Sequence, residues 1–534
     1  MTLLADLLPV VTWSHVAAVA AIFYVSRILY RLTFHPLAKF PGPKLAAITT
    51  WYEFYYDVIQ EGQYTFKIGE LHKQYGPIIR ISPHELHISD PSYFEKLYRN
   101  DGRWDKWDWA YVAHGRGLDT AISAPDHYLH KTIRQPLSPF FSKANVGRKL
   151  DLVRKHLDKL ENIMSRKAAA NQEFDLGAAI SAWARDVSNE FIMGKCYDNL
   201  DKDDFDKDFT TLVTDNGRLW RANKHLPFLR LAFSLPWDFM IMVGDKGVKN
   251  VFSNLKTTYR DTKAIIDAHL SSQSLSSSPK FPSTENVPTN TIINEILSST
   301  SLPPSLKSLD RIHQDIVVIT AAGFETTAST LRLIIYHLFT TPTILTRLRS
   351  EITSHFPNFS GSDPSTYEYR ELEQLPYLTA ICMEGLRLSP ALASRMQRIA
   401  PDRELIFPEG GKGKEWTIPR GTPVGMTQIL MHWDESIYGK DAREFNPERW
   451  MDEDFKKRVA GGERMWAPFS RGSRNCLGMH LAWAELYLCI ATLAMHFDLE
   501  FPGHTAEDFE AAIDSFVILT KSRGELRTVA HVRG

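Results

Sequence analysis

One decapeptide, FSRGSRNCLG from Phe469 to Gly478, narrows the possible folds of this chain more than any other stretch. It sets a single cysteine, Cys476, behind glycine and arginine and directly before the strongly helical run MHLAWAELYLCIATLAMHF. Unpaired N–H groups and the dipole at a helix N-terminus favour an anionic thiolate. Gly472 allows a bend that a side chain would obstruct, and Gly478 leaves room for something flat to approach the loop. Arg474, two residues from the sulfur, can meet a carboxylate without occupying it, and Phe469 can shield the loop from water. A thiolate kept anionic and dry, with no neighbouring base, suits metal ligation better than attack on a substrate. The competing reading is an inert buried cysteine, the usual fate of a free thiol, and Cys476 taken alone favours it.

The rest of the composition leaves that cysteine to act alone. The chain has 534 residues and only four cysteines, Cys196, Cys382, Cys476 and Cys489. Their spacing forms neither a CxxC pair nor a zinc-ligand set nor a disulfide scaffold, which fits a reducing compartment. Hydrophobic content of 43% and charged content of 23% predict an ordered globular protein. A formal net charge of −1 gives no global pull toward nucleic acid.

The N-terminus departs from the globular pattern. Between Asp6 and Arg27 runs LLPVVTWSHVAAVAAIFYVS, without a formal charge and about the length that spans a bilayer. The basic residues Arg27, Arg31, Lys39 and Lys44 follow it rather than precede it. A membrane anchor over residues 1–33 is expected, with residues 34–534 on the cytoplasmic side. A buried first helix of a soluble domain is the alternative.

Next, HPLAKFPGPKLAA predicts a stiff extended connector, because Pro36, Pro41 and Pro43 cannot continue a helix. GPIIRISPHELHISD alternates around Ser82-Pro83 and predicts a strand hairpin. Helical periodicity dominates from about Asp126, and SSQSLSSSPKFPSTENVPTN (Ser271–Asn290) reads as an exposed loop. A long apolar helix from about Leu309 to Thr340, further helices to Leu388, and short strands near ELIF and WTIP complete the pattern. The fold class expected is mainly α with minor β, in one large domain.

As a whole, F-x-x-G-x-R-x-C-x-G at Phe469–Gly478 resembles the haem-ligand loop of the cytochrome P-450 family. Three further matches follow in the family's order. AAGFETTAST (Ala321–Thr330) resembles its oxygen-activating segment; EGLR with FNPERW resembles its Glu-Arg-Arg cluster; HYLHKTIRQP offers His130 and Arg134 where the family commonly has W-x-x-x-R. The resemblance covers nearly the whole chain, and wording between the motifs is similar to filamentous-fungal secondary-metabolism members such as trichodiene oxygenase.

What the resemblance implies is specific. Cys476 would be the proximal ligand of heme b (iron protoporphyrin IX), with Phe469, Gly472, Arg474 and Gly478 shaping its loop. Thr326 would hydrogen-bond the oxygen being activated, and Glu325 would help relay protons from solvent. Arg134 would meet a haem propionate; His130 would donate to a propionate or simply pack in its helix, and Arg395 would pair with a propionate or with the strand backbone. Glu384, Arg387 and Arg449 would lock the region under the cysteine loop, with Trp450 supplying an apolar ring. Substrate would meet the loop Trp104–Ala124, the wall Val317–Ala322, Ala391–Ser394 and Phe516–Val517. The aromatic group at Trp104, Trp107, Trp109 and Tyr111 reads equally as lid or packing. The apolar stretch Leu226–Trp237 reads as a second membrane contact or as packing.

The reaction implied is monooxygenation (hydroxylation or epoxidation) of a hydrophobic secondary metabolite, with terpenoid favoured and a polyketide or prenylated alkaloid as alternatives. Electrons would come from NADPH through NADPH-cytochrome P-450 reductase, with cytochrome b5 as an optional second donor, at the endoplasmic reticulum membrane. A haem-thiolate isomerase or dehydratase and a non-enzymatic haem carrier are the alternatives. The acid–alcohol pair Glu325–Thr326 counts against the isomerase.

Overall fold

The computed structural model describes all residues except 1–11, 115–116, 118, 276–289, 360–366, 393, 410–412, 460–464 and 534. Twelve elements position the site and are numbered here in chain order: α1 (Trp13–Leu29), β1 (Ile78–Arg80), β2 (Leu86–Ile88), α2 (His127–Arg134), α3 (Leu176–Met193), α4 (Lys207–His225), α5 (Leu309–Thr340), α6 (Pro376–Leu388), β3 (Leu405–Glu409), β4 (Lys414–Ile418), β5 (Val424–Gly425) and α7 (Met479–His496).

Helix α5 is the axis of the molecule and packs against α3, α6, α7 and the helix Lys246–Leu275. Ser308 caps it, its hydroxyl accepting from the Arg311 N–H at 3.4 Å. Arg311 and Asp315, one turn apart and both buried, pair at 2.5 Å. Apolar residues around nearly its whole circumference, among them Ile312, Ile316, Phe324, Leu331, Ile334 and Ile335, make it a core helix. The large apolar core runs from α3 through α5 to α7.

The predicted hairpin forms, with β1 and β2 antiparallel and Ile79 opposite His87. Strand β5 joins β2 in parallel. The strands expected near ELIF and WTIP pair as β3 and β4, with Phe407 opposite Trp416. Two readings differ. The proline connector turns rather than extends, and Lys44–Ile48 is already helical with Pro43 as its N-cap residue. Proline just outside a helix start obstructs nothing, since the first N–H groups lack partners anyway. Of the Ser/Pro-rich stretch, Ser271–Leu275 continues the preceding helix, while 276–289 lies outside the described residues.

Helix α1 and its π-helical continuation Tyr30–Phe34 stand apart from this core. No residue of α1 is buried, and Trp13, Val19, Ile22 and Tyr24 are all exposed. That exposure is incompatible with a core helix and compatible with a membrane anchor, 22 residues from Trp13 to Phe34 being long enough to cross. The segment is tied to the body at Arg31, which donates to the Ile48 carbonyl and whose own carbonyl accepts from Arg80 at 2.8 Å. Removing residues 1–28, which leaves Arg31 in place, is expected to release much of the protein from the membrane with an unchanged thermal transition. A drop in melting temperature on that deletion would make α1 part of the fold.

Candidate active site

The cysteine loop is shaped by one close backbone approach. Gly472 has φ +74, and a Cβ there would come within 2.5 Å of the Arg99 carbonyl oxygen, so glycine is required. The Cys476 N–H donates to the Phe469 carbonyl at 2.8 Å, closing the loop on itself. Phe469 packs its ring 6.2 Å from Trp483 of α7. At Gly478, the N-cap residue of α7, an added Cβ would meet nothing within 4 Å. Alone of the four cysteines Cys476 is exposed, although protein surrounds it closely enough for burial to push its thiol pKa up. Cys476 thus keeps accessible area although protein crowds round its thiol; the Gly478 backbone hydrogen bond and Arg134 oppose the effect of burial.

A second open surface interrupts α5. Val318, Ala322 and Thr326, spaced four apart on one face, keep accessible area, as does Ala321, while Val317 and Ile319 beside them are packed. The Thr326 hydroxyl donates to the Ala322 carbonyl at 2.8 Å, which leaves its lone pairs to accept. Glu325 does not share this face. It is 3% exposed, bound to Arg332 and accepting from the Ser181 hydroxyl at 3.3 Å, with Arg332 also donating to Ser181 at 2.7 Å. The expected relay from solvent through Glu325 is corrected accordingly: the carboxylate lies in the α3–α5 packing, and it reaches water only if the Arg332 pair opens.

Four cations converge near the loop. Lys106, Arg134, Arg398 and Arg474 lie close enough to depress one another's pKa or that of His130 between them. Among the described residues none of the four has a carboxylate within ion-pair distance. The nearby Asp105 and Asp126 are engaged by Arg103 at 2.9 and 3.2 Å. Instead the cations donate to carbonyls: Lys106 to Ile122 at 2.7 Å, Arg474 to Ala124 at 2.7 Å and Pro125 at 2.9 Å, Arg134 to Asn475 at 2.8 Å. The Nε of Arg474 is buried without a partner. Burial, reinforced by these charges, lowers His130 to about 2 and Arg474 to about 9. Buried charge of one sign costs free energy until an anion meets it. A flat group carrying two carboxylates would meet it, and the open space at Gly478 and the accessible thiol fit the same group.

Arg395 belongs elsewhere, which corrects the propionate assignment. Its guanidinium donates to Glu85 at 2.7 and 3.0 Å and to Glu53 at 2.9 Å, a buried and already compensated position. Arg398, three residues on, takes the place beside Arg474. The segment from Arg395 to Arg398 is irregular, with an isolated bridge from Arg398 to Val424, and it sends the two guanidiniums to different partners. The sequence reading also missed Lys106; its neighbourhood to Arg474 arises from folding of the Trp104–Ala124 loop and leaves no local signal.

Under the loop, Glu384 gathers four donors. Arg387 gives it 2.8 and 2.7 Å bonds, Arg449 one of 3.0 Å, the Asn446 N–H one of 2.9 Å, and the indole N–H of Trp450 one of 2.9 Å. Trp450 is thus a donor as well as an apolar ring. Arg387 also donates to the carbonyl of His432 at 2.7 Å. The His432 ring donates from Nδ1 to the Arg387 carbonyl at 3.0 Å and accepts the Ala467 N–H at Nε2, 3.1 Å. Burial lowers His432 to about 3, the neutral state that this pattern requires. Ala467 leads directly into the cysteine loop.

Of the aromatic group, Trp104 is core, its indole N–H bonded to the Asp101 carbonyl at 2.9 Å. Trp109 and Tyr111 line a small cavity with Phe516. Ala391 and Phe516 both hold positive φ, +62 and +70, and are joined through the Ile518 N–H to the Ala391 carbonyl at 2.8 Å. A groove of about 730 Å³ along Pro342–Ser354 contains none of these residues.

Comparison with known proteins is consistent with this arrangement. Residues 41–526 match the family described as Cytochrome P-450. The cytochrome P-450 monooxygenase tpcC of Cochliobolus heterostrophus is 38% identical over 481 residues, 89% of this chain and 86% of its own. The N-acetyltryptophan 6-hydroxylase ivoC of Emericella nidulans is 34% identical over 505 residues, 94% of each chain. The conidiogenone synthase of Penicillium rubens is 33% identical over 506 residues, 94% and 95% of the two chains.

The Glu384 cluster makes a graded prediction. Glu384→Gln strips the charge from a site holding buried Arg387 and is expected to cost about 3–5 kcal/mol, whereas Trp450→Phe removes one donor for about 1–3 kcal/mol. Denaturant unfolding of the two variants measures both. A larger loss from Trp450→Phe than from Glu384→Gln would contradict this ranking.

Proposed function

The chain belongs to the cytochrome P-450 family and is a haem-thiolate monooxygenase of the fungal secondary-metabolism kind, and we propose that it oxygenates a hydrophobic, terpenoid-like scaffold while anchored by α1 to the endoplasmic reticulum membrane. The observation that carries this reading is the accessible, enclosed sulfur of Cys476 together with the open Val318–Ala322–Thr326 face of α5.

Cys476 would hold the iron, and Arg134, Arg398, Arg474 and Lys106 would neutralise the propionates. The haem, when bound, supplies the oxidising chemistry; the protein positions, desolvates and delivers protons. Small side chains at Ala321 and Ala322 let a flat group and a substrate approach the α5 backbone. The Thr326 hydroxyl, whose own proton goes to the Ala322 carbonyl, would accept a hydrogen bond from a group bound in that space. Glu325, fixed by Arg332, acts as a reserve acid whose release is gated by that pair. The wall offers apolar contact at about 25 cal/mol per Å² and few charges, which favours an apolar substrate. The names of ivoC and of the Penicillium rubens enzyme carry two different scaffolds, so the substrate reading rests on this chain's own pocket.

Redox partnership follows from the family; NADPH-cytochrome P-450 reductase, with cytochrome b5 as an auxiliary donor, is the partner proposed. Membrane association has a second support. Phe228, Leu231, Leu235, Phe239, Met242 and Val243 form an exposed apolar run across the 3₁₀ helix Pro227–Ser234 and the helix Trp237–Val243.

Extracts of a strain lacking the gene are expected to accumulate an apolar precursor. Membranes holding the protein, given NADPH and oxygen-18 gas, should convert that precursor to a product carrying one labelled atom. Label from water, or a strongly hydrophilic precursor, would overturn the reading. Thr326→Ala should keep precursor binding and lower product per NADPH about tenfold, about 1.4 kcal/mol between competing barriers. Unchanged coupling would remove Thr326 from the chemistry.

A further inference from the structure

A small cavity has the aromatic residues Trp109, Tyr111, Trp220 and Phe516 in its wall beside polar ones that include Ser394 and Gln397, and one buried acceptor of that wall has no partner among the described residues. It measures about 10 Å³, close to the smallest space that holds one water-sized group. Trp220 and Phe516 lie 5.4 Å apart, Tyr111 and Phe516 6.5 Å apart, and Lys106 of the cation cluster sits 4.1 Å over the opposite side of Tyr111. Tyr111 therefore joins this cavity to the haem-side cations.

Two cations border the cavity, and their presence suggests a carboxylate ligand until their partners are counted. Lys224 is bound to Asp57 and, at 3.0 Å, to Glu53; Arg395 is bound to Glu53 and Glu85. Three carboxylates thus face two cations, and since burial pushes the Asp57 carboxyl up, the set stands between neutral and one charge negative. No positive charge is left over for an anion. What is left over is acceptor capacity. Gln397 is 2% exposed, and its amide nitrogen donates to Glu85 at 2.8 Å. A carboxylate only accepts, so this bond fixes which end of the amide is nitrogen. The remaining end, Oε1, has no partner among the described residues, and neither has Oε2 of Glu53.

Resting on the substrate reading above, we propose that this cavity is a recognition point for one hydroxyl group carried by the apolar substrate, with Gln397 Oε1 as the acceptor. A hydroxyl matches the size of the space and the missing donor. It replaces a water of the same size without leaving Gln397 unpaired, whereas a hydrocarbon end would strand the acceptor at a cost. A carboxylate would meet an electrostatically closed set. Sites built to bond a substrate hydroxyl reject the analogue lacking it far more sharply than apolar pockets reject an extra methylene. The substrate then arrives already oxygenated, so the class of reaction that supplies it is an earlier hydroxylation or hydration of the same scaffold.

Spectral titration of the haem-loaded protein tests this with matched series of a cyclic diterpene, a steroid and an indole, each as hydrocarbon, alcohol and carboxylic acid. In at least one series the alcohol is expected to shift the haem spin state with at least tenfold tighter apparent Kd than the hydrocarbon and the acid. Gln397→Met and, with the polar set untouched, Ala110→Val to fill the cavity should each bring that ratio near one. Equal or tighter binding of the hydrocarbon or acid in every series, an alcohol preference that survives both variants, or no shift from any compound would overturn the proposal. A carbon monoxide band that persists under those outcomes shows that the haem-thiolate reading stands independently.

Discussion

The carboxylate of Glu384 is the interaction on which the ligand loop depends. A loop containing Gly472 and Gly478 and presenting an accessible sulfur cannot be held by its own apolar packing, since its centre must stay open. It is held from below instead. Glu384 fixes Arg387 and Arg449, the Arg387 backbone fixes the His432 ring, and His432 receives the N–H of Ala467 at the mouth of the loop. Each link is buried, so each hydrogen bond acts in a low-dielectric setting where loss of a partner is costly. The strength of this support lies in its completeness: Glu384 accepts from two guanidiniums, an indole and a backbone amide. A substitution that removed one donor would weaken the cluster, and one that removed the charge would dissolve it.

Electrostatics divides the space above the loop into two regions of opposite character. Beside the cysteine loop, Lys106, Arg134, Arg398 and Arg474 have carbonyl partners and, among the described residues, no carboxylate within ion-pair distance. Toward the distal cavity, Lys224 and Arg395 are fully occupied by Glu53, Asp57 and Glu85. Arginines three residues apart in one segment thus have contrary roles, and their charge alone predicts neither. The distinction matters for function because it confines anion binding to the cofactor. On the proposed reading, substrate would meet apolar walls and the amide oxygen of Gln397, which has no partner among the described residues.

Contiguous or periodic signals were legible in the sequence; signals created by folding were not. Cys476 and its loop stand in one decapeptide, and Glu384 and Arg387 share a helix face at i, i+3. Helix α5 could be bounded at about Leu309 and Thr340 from its apolar span, and the β1–β2 hairpin from alternation around Ser82-Pro83. Glu325 shows the limit. Its partners are Arg332, two turns away, and Ser181, 144 positions distant on α3, so a residue that reads as a solvent-fed acid is a buried ion-pair member. Arg395 and Arg398 could be told apart only by knowing the path of the irregular segment that carries them. The donor role of Trp450 needed the position of its indole nitrogen, and Lys106 needed the path of an irregular loop. In each case the missing information was orientation rather than residue type.

The central claim is that Cys476 supplies the sulfur that ligates the haem iron. Reduced, haem-loaded protein exposed to carbon monoxide reports it directly through the position of the Soret band. The wild-type chain and Cys489→Ala, whose thiol is buried in α7, are expected to show the red-shifted band of thiolate ligation, and Cys476→Ala is expected to lose it while other haem absorbance remains. A red-shifted band that survives Cys476→Ala would contradict the account.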